Sequence, residues 1–298
     1  DNNSGFGAYS LSNNSSGAQN TAVGYQALRQ ATTADNNTSV GWRTMDANTT
    51  GAENTAVGKG ALFANTTGNN NVAIGDKALD ANTTASNNTA VGQNALTANT
   101  TGGSNVAVGA LALDASTTGN YLTAIGMGAL GSNTTADNNT AVGYKALDVN
   151  TTGANNVAVG SLTLDAATTA NNNTAVGQGA MSGTTTGSDN TAVGLSALYT
   201  NTTGANNVAI GRTSLFSNTS GAKNVSVGNY SLDANTTGSD NTAVGHNALT
   251  ANTTGASNVA IGRGSLGFNT TASNNTAVGD LALNANTTGH SNTAVGVN

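Results

Sequence analysis

The stretch Asn20-Thr21-Ala22-Val23-Gly24-Tyr25-Gln26-Ala27-Leu28 returns as Asn54-Thr55-Ala56-Val57-Gly58-Lys59-Gly60-Ala61-Leu62, and again from Asn241. Its glycine after Val or Ile sets the count: Gly24, Gly41, Gly58 and so on to Gly296, every step 17 residues, with Gly7 in a divergent first copy (residues 1–19) making eighteen. No insertion or deletion interrupts the series. Loops that leave a core vary in length, so an invariant count means that each copy lands on the one before it. That is the signature of a solenoid. The sequence therefore predicts one repeat solenoid of about 17 coils over 1–298, although length alone would suggest about two domains.

With that glycine as position 0, position −1 is Val or Ile (Phe6 in the first copy), −2 is Ala or Ser (Gly5 in the first copy), and −3 is Thr or Val from Thr21 onward. Position −4 is Asn except at Leu122, and +4 is Leu except at Met45 and Met181. The β-branched residues at −3 and −1 share one parity, which predicts a short strand ended by the glycine. Ala-Leu at +3/+4 is expected to start a second short run, and Asn-Thr-Thr-Gly reads as a turn. No helical spacing of apolar residues is present. The Asn column at −4 is expected to bond amide to amide along the stack, as Asn ladders do, with Thr columns at +8 and +9 passing hydrogen bonds similarly.

A turn of 17 residues offers one Val or Ile, one Leu and one Thr or Val for burial. Leu, Ile, Val and Phe together are only 49 of 298 residues, thin for a globular core. A narrow roll holds Ala at −2 and little more, which turns the Val/Ile stripe outward; the inverse, Val/Ile inside and Ala at a contact, is the alternative. Soluble monomers rarely expose such a stripe, so several chains are expected to pack their stripes around a common axis.

Asn-Thr-Ala-Val-Gly-Tyr-Gln-Ala-Leu at Asn20–Leu28, and its copies from Asn54 and Asn241, resemble the Asn-x-Val-Ala-Ile-Gly repeat of the YadA-like head in trimeric autotransporter adhesins. They are also similar to repeat arrays of phage tail fibres and bacterial surface proteins with tail-fibre domains. The resemblance covers essentially the whole chain and departs in period, since the adhesin repeat is commonly shorter. It implies a left-handed parallel β-roll, three chains wide, that adheres to host or matrix surfaces from an extracellular position on a cell or virion. The family's neck, coiled-coil stalk and membrane anchor have no counterpart in these residues, so the chain is expected to be a processed product, a fragment or part of something longer.

The composition narrows the function further. Eight Lys and Arg against fourteen Asp and Glu make no basic stripe for nucleic acid. No 18-residue apolar stretch is present for membrane insertion. There is no Cys, and the two histidines, His246 and His290, fall in different columns with no repeated carboxylate beside them. No enzyme activity, cofactor or metal is expected. The +5 aspartates (Asp46, Asp80, Asp114, Asp148, Asp165, Asp233) recur mostly in alternate coils, about 9–10 Å apart by stacking, too far for two to share an ion, and read as solvated acids.

Charged residues after Asp1 fall only at +1, +2, +5, +11 and +12, the outward corners. Aromatics at +1 and +5, namely Tyr25, Trp42, Phe63, Tyr144 and Tyr199, are candidates for stacking on sugar rings, with corner packing as the plainer role. The Asn-Thr-Thr turns also carry the N-glycosylation pattern at Asn48, Asn65, Asn82, Asn99, Asn133, Asn150, Asn201, Asn218, Asn235, Asn252, Asn269 and Asn286; the turn's own preference for Asn explains them as well. Paired Thr residues also raise an ice-binding face, against which adjacent +8 and +9 would point opposite ways. The function expected is a structural, adhesive homotrimeric fibre segment that binds itself and a host-surface glycan or protein, with an end-to-end surface filament as the alternative.

Overall fold

The computed structural model describes residues 2–298, in two units, one up to Thr152 and the other Gly153–Asn298. Each unit is a parallel β-solenoid with one three-residue strand per 17-residue turn. The first runs from β1 (Ser4–Phe6) to β9 (Thr140–Val142) and the second from β10 (Val157–Val159) to β18 (Thr293–Val295). Among the described residues there is no helix. The expected all-β, parallel solenoid class is what the backbone shows. Pairing within each unit is in register at every step: Thr55 faces Val72, Ala56 faces Ala73 and Val57 faces Ile74, and Val208, Ala209 and Ile210 face Val225, Ser226 and Val227.

The strand parity settles which face is inside. Ala56, Ala73 and Ala90 at −2 are fully buried, while Val57 and Ile74 at −1 are 37% and 40% exposed. Ala lines the interior and Val/Ile lines the outside. The two Ser substitutes at −2 stay buried because their hydroxyls are bonded locally: Ser39 Oγ donates to Thr44 O (2.9 Å) and Ser226 Oγ to Ser231 O (2.8 Å).

The glycine at position 0 is required for two reasons. Its φ lies far from anything an L side chain adopts, +133° at Gly24 and +130° at Gly58. A Cβ on Gly24 would also sit 2.2 Å from the carbonyl oxygen of Gly41 in the next turn, and one on Gly58 would sit 2.5 Å from that of Gly75. Successive turns touch backbone to backbone at this point.

The +3/+4 run is not a second strand, contrary to the sequence expectation. It is a chain of turns in which every +4 Leu or Met takes a left-handed backbone, φ 51° at Leu28 and 53° at Leu62. Such a conformation costs a non-glycine residue about 1–2 kcal/mol. The side chain nonetheless fills the interior, fully buried in both cases. The backbone polar groups of this run are satisfied between turns in both directions: Leu62 N donates forward to Ala78 O (2.9 Å), and Lys77 N donates back to Lys59 O (3.0 Å). Position +12 is left-handed too, and there the sequence supplies Asn or Asp in many turns, as at Asn36, Asn87 and Asp189, residues that tolerate it best.

Two Asn ladders stitch the turns together. At −4 the amide oxygen accepts from the backbone N–H of the next −4 residue, as Asn37 Oδ1 does from Asn54 N (2.9 Å), and the amide nitrogen donates to the +10 carbonyl one turn on, Asn54 Nδ2 to Gly68 O (2.9 Å). At +7 the amides bond directly to each other: Asn65 Nδ2 donates to Asn48 Oδ1 (2.7 Å) and Asn82 Nδ2 to Asn65 Oδ1 (2.8 Å). Of the two Thr columns only +8 continues the network, Thr49 Oγ1 donating to Thr66 O (3.0 Å), while Thr50 and Thr67 at +9 are exposed.

Where the +7 ladder is broken it leaves a mark. Ala31 follows Asn14 and Ser116 follows Asn99, and the buried Oδ1 of both Asn14 and Asn99 accepts no hydrogen bond; the Ser116 hydroxyl is unsatisfied as well. Ser116→Asn should therefore stabilise the protein by about 1–2 kcal/mol by giving Asn99 Oδ1 its donor, read as a higher urea midpoint with an unchanged slope.

Candidate functional site

Every turn presents the same outward positions, +1, +2, +5, +11 and +12, which carry most of the chain's individuality, and the first three bring their side chains together most densely in the first unit. In the first unit, four successive turns place Arg29, Trp42, Arg43, Asp46, Lys59, Phe63, Lys77 and Asp80 at these positions, so half of the chain's eight cations fall within about 50 residues. Stacking brings them together. The Arg43 guanidinium lies 4.6 Å from the Phe63 ring centroid and 5.3 Å from that of Trp42, and Lys59 Nζ lies 5.7 Å from the Trp42 ring. These are cation–π distances.

Asp46 corrects the expectation that +5 acids are solvated. Its side chain is 2% exposed and is held on both oxygens, Oδ1 by Arg29 Nε at 2.7 Å and Oδ2 by Arg43 at 2.9 Å. Arg29 belongs to the preceding turn and Arg43 to the same one, so this carboxylate ties two turns and fixes the guanidinium that bridges the two aromatic rings. Burying a carboxylate this deeply is tolerable only with such pairing.

A cleft of about 160 Å³ opens beside this cluster, lined by Trp42, Arg43, Lys59, Gly60, Phe63, Lys77 and Asp80. It exists because Gly60 occupies +2, a position that carries Arg43 in the turn before and Lys77 in the turn after. The nearest atom to a Cβ there would be Asp80 Oδ1, at 3.5 Å. Burial pushes the Asp80 carboxyl above its ordinary range, Lys77 pulls it back and Asp76 adds to the rise. Lys59 and Lys77 are exposed and take part in no ion pair among the described residues.

Of the five aromatics singled out from sequence, the structure joins Trp42 and Phe63 through Arg43. Tyr25 packs edge-on against Tyr9 (6.0 Å), and Tyr199 stacks on Phe216 (5.2 Å, planes 5° apart). Tyr144 is exposed on the +1 column. The cations, Gly60 and Asp80 were not among the sequence candidates; the signal for them was the bunching of cations in residues 29–77 of an otherwise acidic chain.

The twelve Asn-Thr/Ser acceptor sites are the +7 ladder. Asn48, Asn65, Asn82, Asn99, Asn133, Asn150, Asn201, Asn218, Asn235, Asn252 and Asn269 are buried and Asn286 is half-buried. The Nδ2 atom that a glycan would occupy is an interior donor, as in Asn218 to Asn201 Oδ1 and Gly221 O, both 2.9 Å. The folded turn has no room for a sugar at that atom.

Asp114 and Asp148 come closer than two turns of stacking implies. Gly131 lies between them in the +5 column, and Oδ1 of Asp148 and of Asp114 lie 3.1 Å and 3.5 Å from the point its Cβ would take. Among the described residues, no group of three or more His, Asp or Glu side chains is arranged to hold a metal ion. His246 sits edge-on to Tyr230 (5.9 Å), and His290 Nδ1 accepts from Ser273 N (2.9 Å). No helix among the described residues is long and apolar enough to cross a membrane. No protein-family model matches the chain, and no curated protein shows significant similarity to it.

Burial first, and then the nearby Asp148, raise the Asp114 carboxyl, against hydrogen bonds from the Asp114 and Ala115 backbone that lower it. A raised folded-state pKa means that ionised Asp114 costs stability above that pKa. The cost disappears as pH falls through it toward the unfolded value of 3.8. Asp114→Asn should therefore raise the thermal midpoint at pH 7, with the gain shrinking to nothing by pH 3; a gain that persists at pH 3 would place the effect elsewhere.

Proposed function

We propose that the chain is a structural, adhesive segment of an extracellular fibre that works as a homotrimer, with its −1 columns packed together and its +1/+2/+5 corners turned to a host-surface glycan. The observation that carries this reading is the stripe of apolar side chains at −1. Val57, Ile74 and Ile125 in the first unit, and Val193, Ile210 and Ile261 in the second, are each 37–41% exposed on a strand only three residues wide. The interior is filled by Ala and Leu and has no place for them. A column of β-branched side chains at a constant spacing of about 4.8 Å is a surface that a second copy of itself fits. The resemblance of the repeat to adhesin heads supports the same number of chains.

Glycan adhesion is supported by where the aromatic residues stand. Trp42, Tyr25 and Tyr144 occupy the +1 corner column at 43–47% exposure. In this reading the backbone carries load, since most hydrogen bonds of each turn go to its neighbours, and the corners carry recognition.

Sedimentation of the purified protein should give three times the 28.9 kDa chain mass. The double variant Ile74→Lys/Ile125→Lys should sediment as a single chain with its β-sheet circular dichroism retained. A wild-type protein that runs at one chain mass contradicts the trimer. Long polydisperse threads would contradict it in favour of end-to-end filaments.

A further inference from the structure

We propose that the cleft over Gly60 binds an acidic saccharide, taking the sugar's carboxylate between Lys59 and Lys77, its hydroxyls on Asp80 and its ring against Trp42. This deepens the adhesive reading and rests on it.

Four features of the cleft select this class of ligand. Its volume, about 160 Å³, is below that of pockets that enclose drug-sized molecules, so it admits one ring of a longer chain. The cationic charge outside the ion pairs is two lysine ammonium groups, each a compact point charge suited to a single carboxylate. The planar fork that would grip a phosphate or sulfate in two places belongs to Arg43, and that guanidinium is already spent on Asp46 at 2.9 Å. The Asp80 carboxylate faces the same space, 3.5 Å from the point above Gly60. A compact polyanion would be repelled there, whereas sugar hydroxyls donate to such an oxygen.

Trp42 completes the site. It is 47% exposed, and cations at 5.3 Å and 5.7 Å keep its indole in place on two turns. A flat, rigid aromatic surface with a polar rim is what the C–H face of a pyranose packs on. Gly60 is the opening itself. Its φ of +65° is close to that of Arg43 (53°), Lys77 (56°) and Asn94 (55°) in the same column, so a side chain fits the backbone there and its absence leaves the notch.

The chain has a single tryptophan, so Trp emission reports on this cleft alone. Titration with a glucuronate-containing disaccharide should give a saturable emission change, weakened by added salt. The neutral disaccharide of the same size should bind at least about tenfold more weakly, and so should the acidic one to Lys59→Gln/Lys77→Gln. Gly60→Asn should fold as wild type, since Asn94 holds the same conformation, and should lose the response. Lys223→Gln, in the second unit, should change nothing. The proposal is overturned by a silent Trp42 at saturating disaccharide, by an equal response to the neutral sugar, or by an equal response to a hexaglutamate peptide, which would make the cleft a charge sink without sugar recognition. Adhesion of the wild type to glycan-coated surfaces is measured in parallel. Adhesion with a silent Trp42 removes this cleft and leaves the adhesive reading, whereas absence of adhesion on every surface counts against that reading itself.

Discussion

The contact that governs the rest of each unit is the approach of one turn's glycine to the backbone of the next. At Gly24 the space for a Cβ is taken by a carbonyl oxygen 2.2 Å away, and the φ beyond +120° excludes other residues independently. Two backbones that close cannot slide along each other, so the turn length admits no change. The invariant count of 17 is the sequence consequence of that contact. Register at the strand, the two Asn ladders and the +8 Thr bonds all presuppose it, because each needs the same residue directly above itself.

A turn that tight has a narrow interior, and the choice of residues follows from the width. Ala at −2 and Leu at +4 fill it, the second at the expense of a left-handed backbone in every turn. Polar side chains inside are mostly Asn, because an amide both donates and accepts and can be repeated along an axis without changing sign. Val and Ile are left outside, where they form the apolar stripe on which the proposed assembly rests. The corner positions have neighbours from adjacent turns, so in the proposed reading a binding surface is composed by choosing residues 17 apart. Trp42, Lys59, Gly60 and Lys77 show how few choices shape such a cleft.

Much of this was legible beforehand. The strand at −3 to −1 and the parallel stacking followed from parity and period, both of which are set by the backbone and repeated eighteen times; parity left either face free to be the inner one, and the narrow interior favoured Ala. What escaped depended on features that repeat weakly or run against propensity. Leu is a poor left-handed residue, so +3/+4 read as extended when it is a turn. The +7 Asn residues read as exposed turn residues or glycan acceptors because one turn considered alone has nothing to bury them; only the neighbouring amide does. Asp46 read as solvated because its partners Arg29 and Arg43 lie 17 and 3 residues away, and Asp114 read as distant from Asp148 because the gap at Gly131 lets both side chains lean inward. Apart from the left-handed Leu, the misses involve contacts between turns read from within a single turn.

The most direct measurement of the register uses cysteine pairs in a chain that has none. Thr89 and Val106 are Cα partners on adjacent strands, at a separation of about 4.8 Å that a disulfide spans without strain. Thr89→Cys/Val106→Cys should oxidise readily to an intramolecular disulfide, seen as faster migration without reductant, while Thr89→Cys/Ala107→Cys, whose second residue points to the buried face, should not. Efficient closure of the second pair, or failure of the first, would contradict a turn of 17 residues stacked in register.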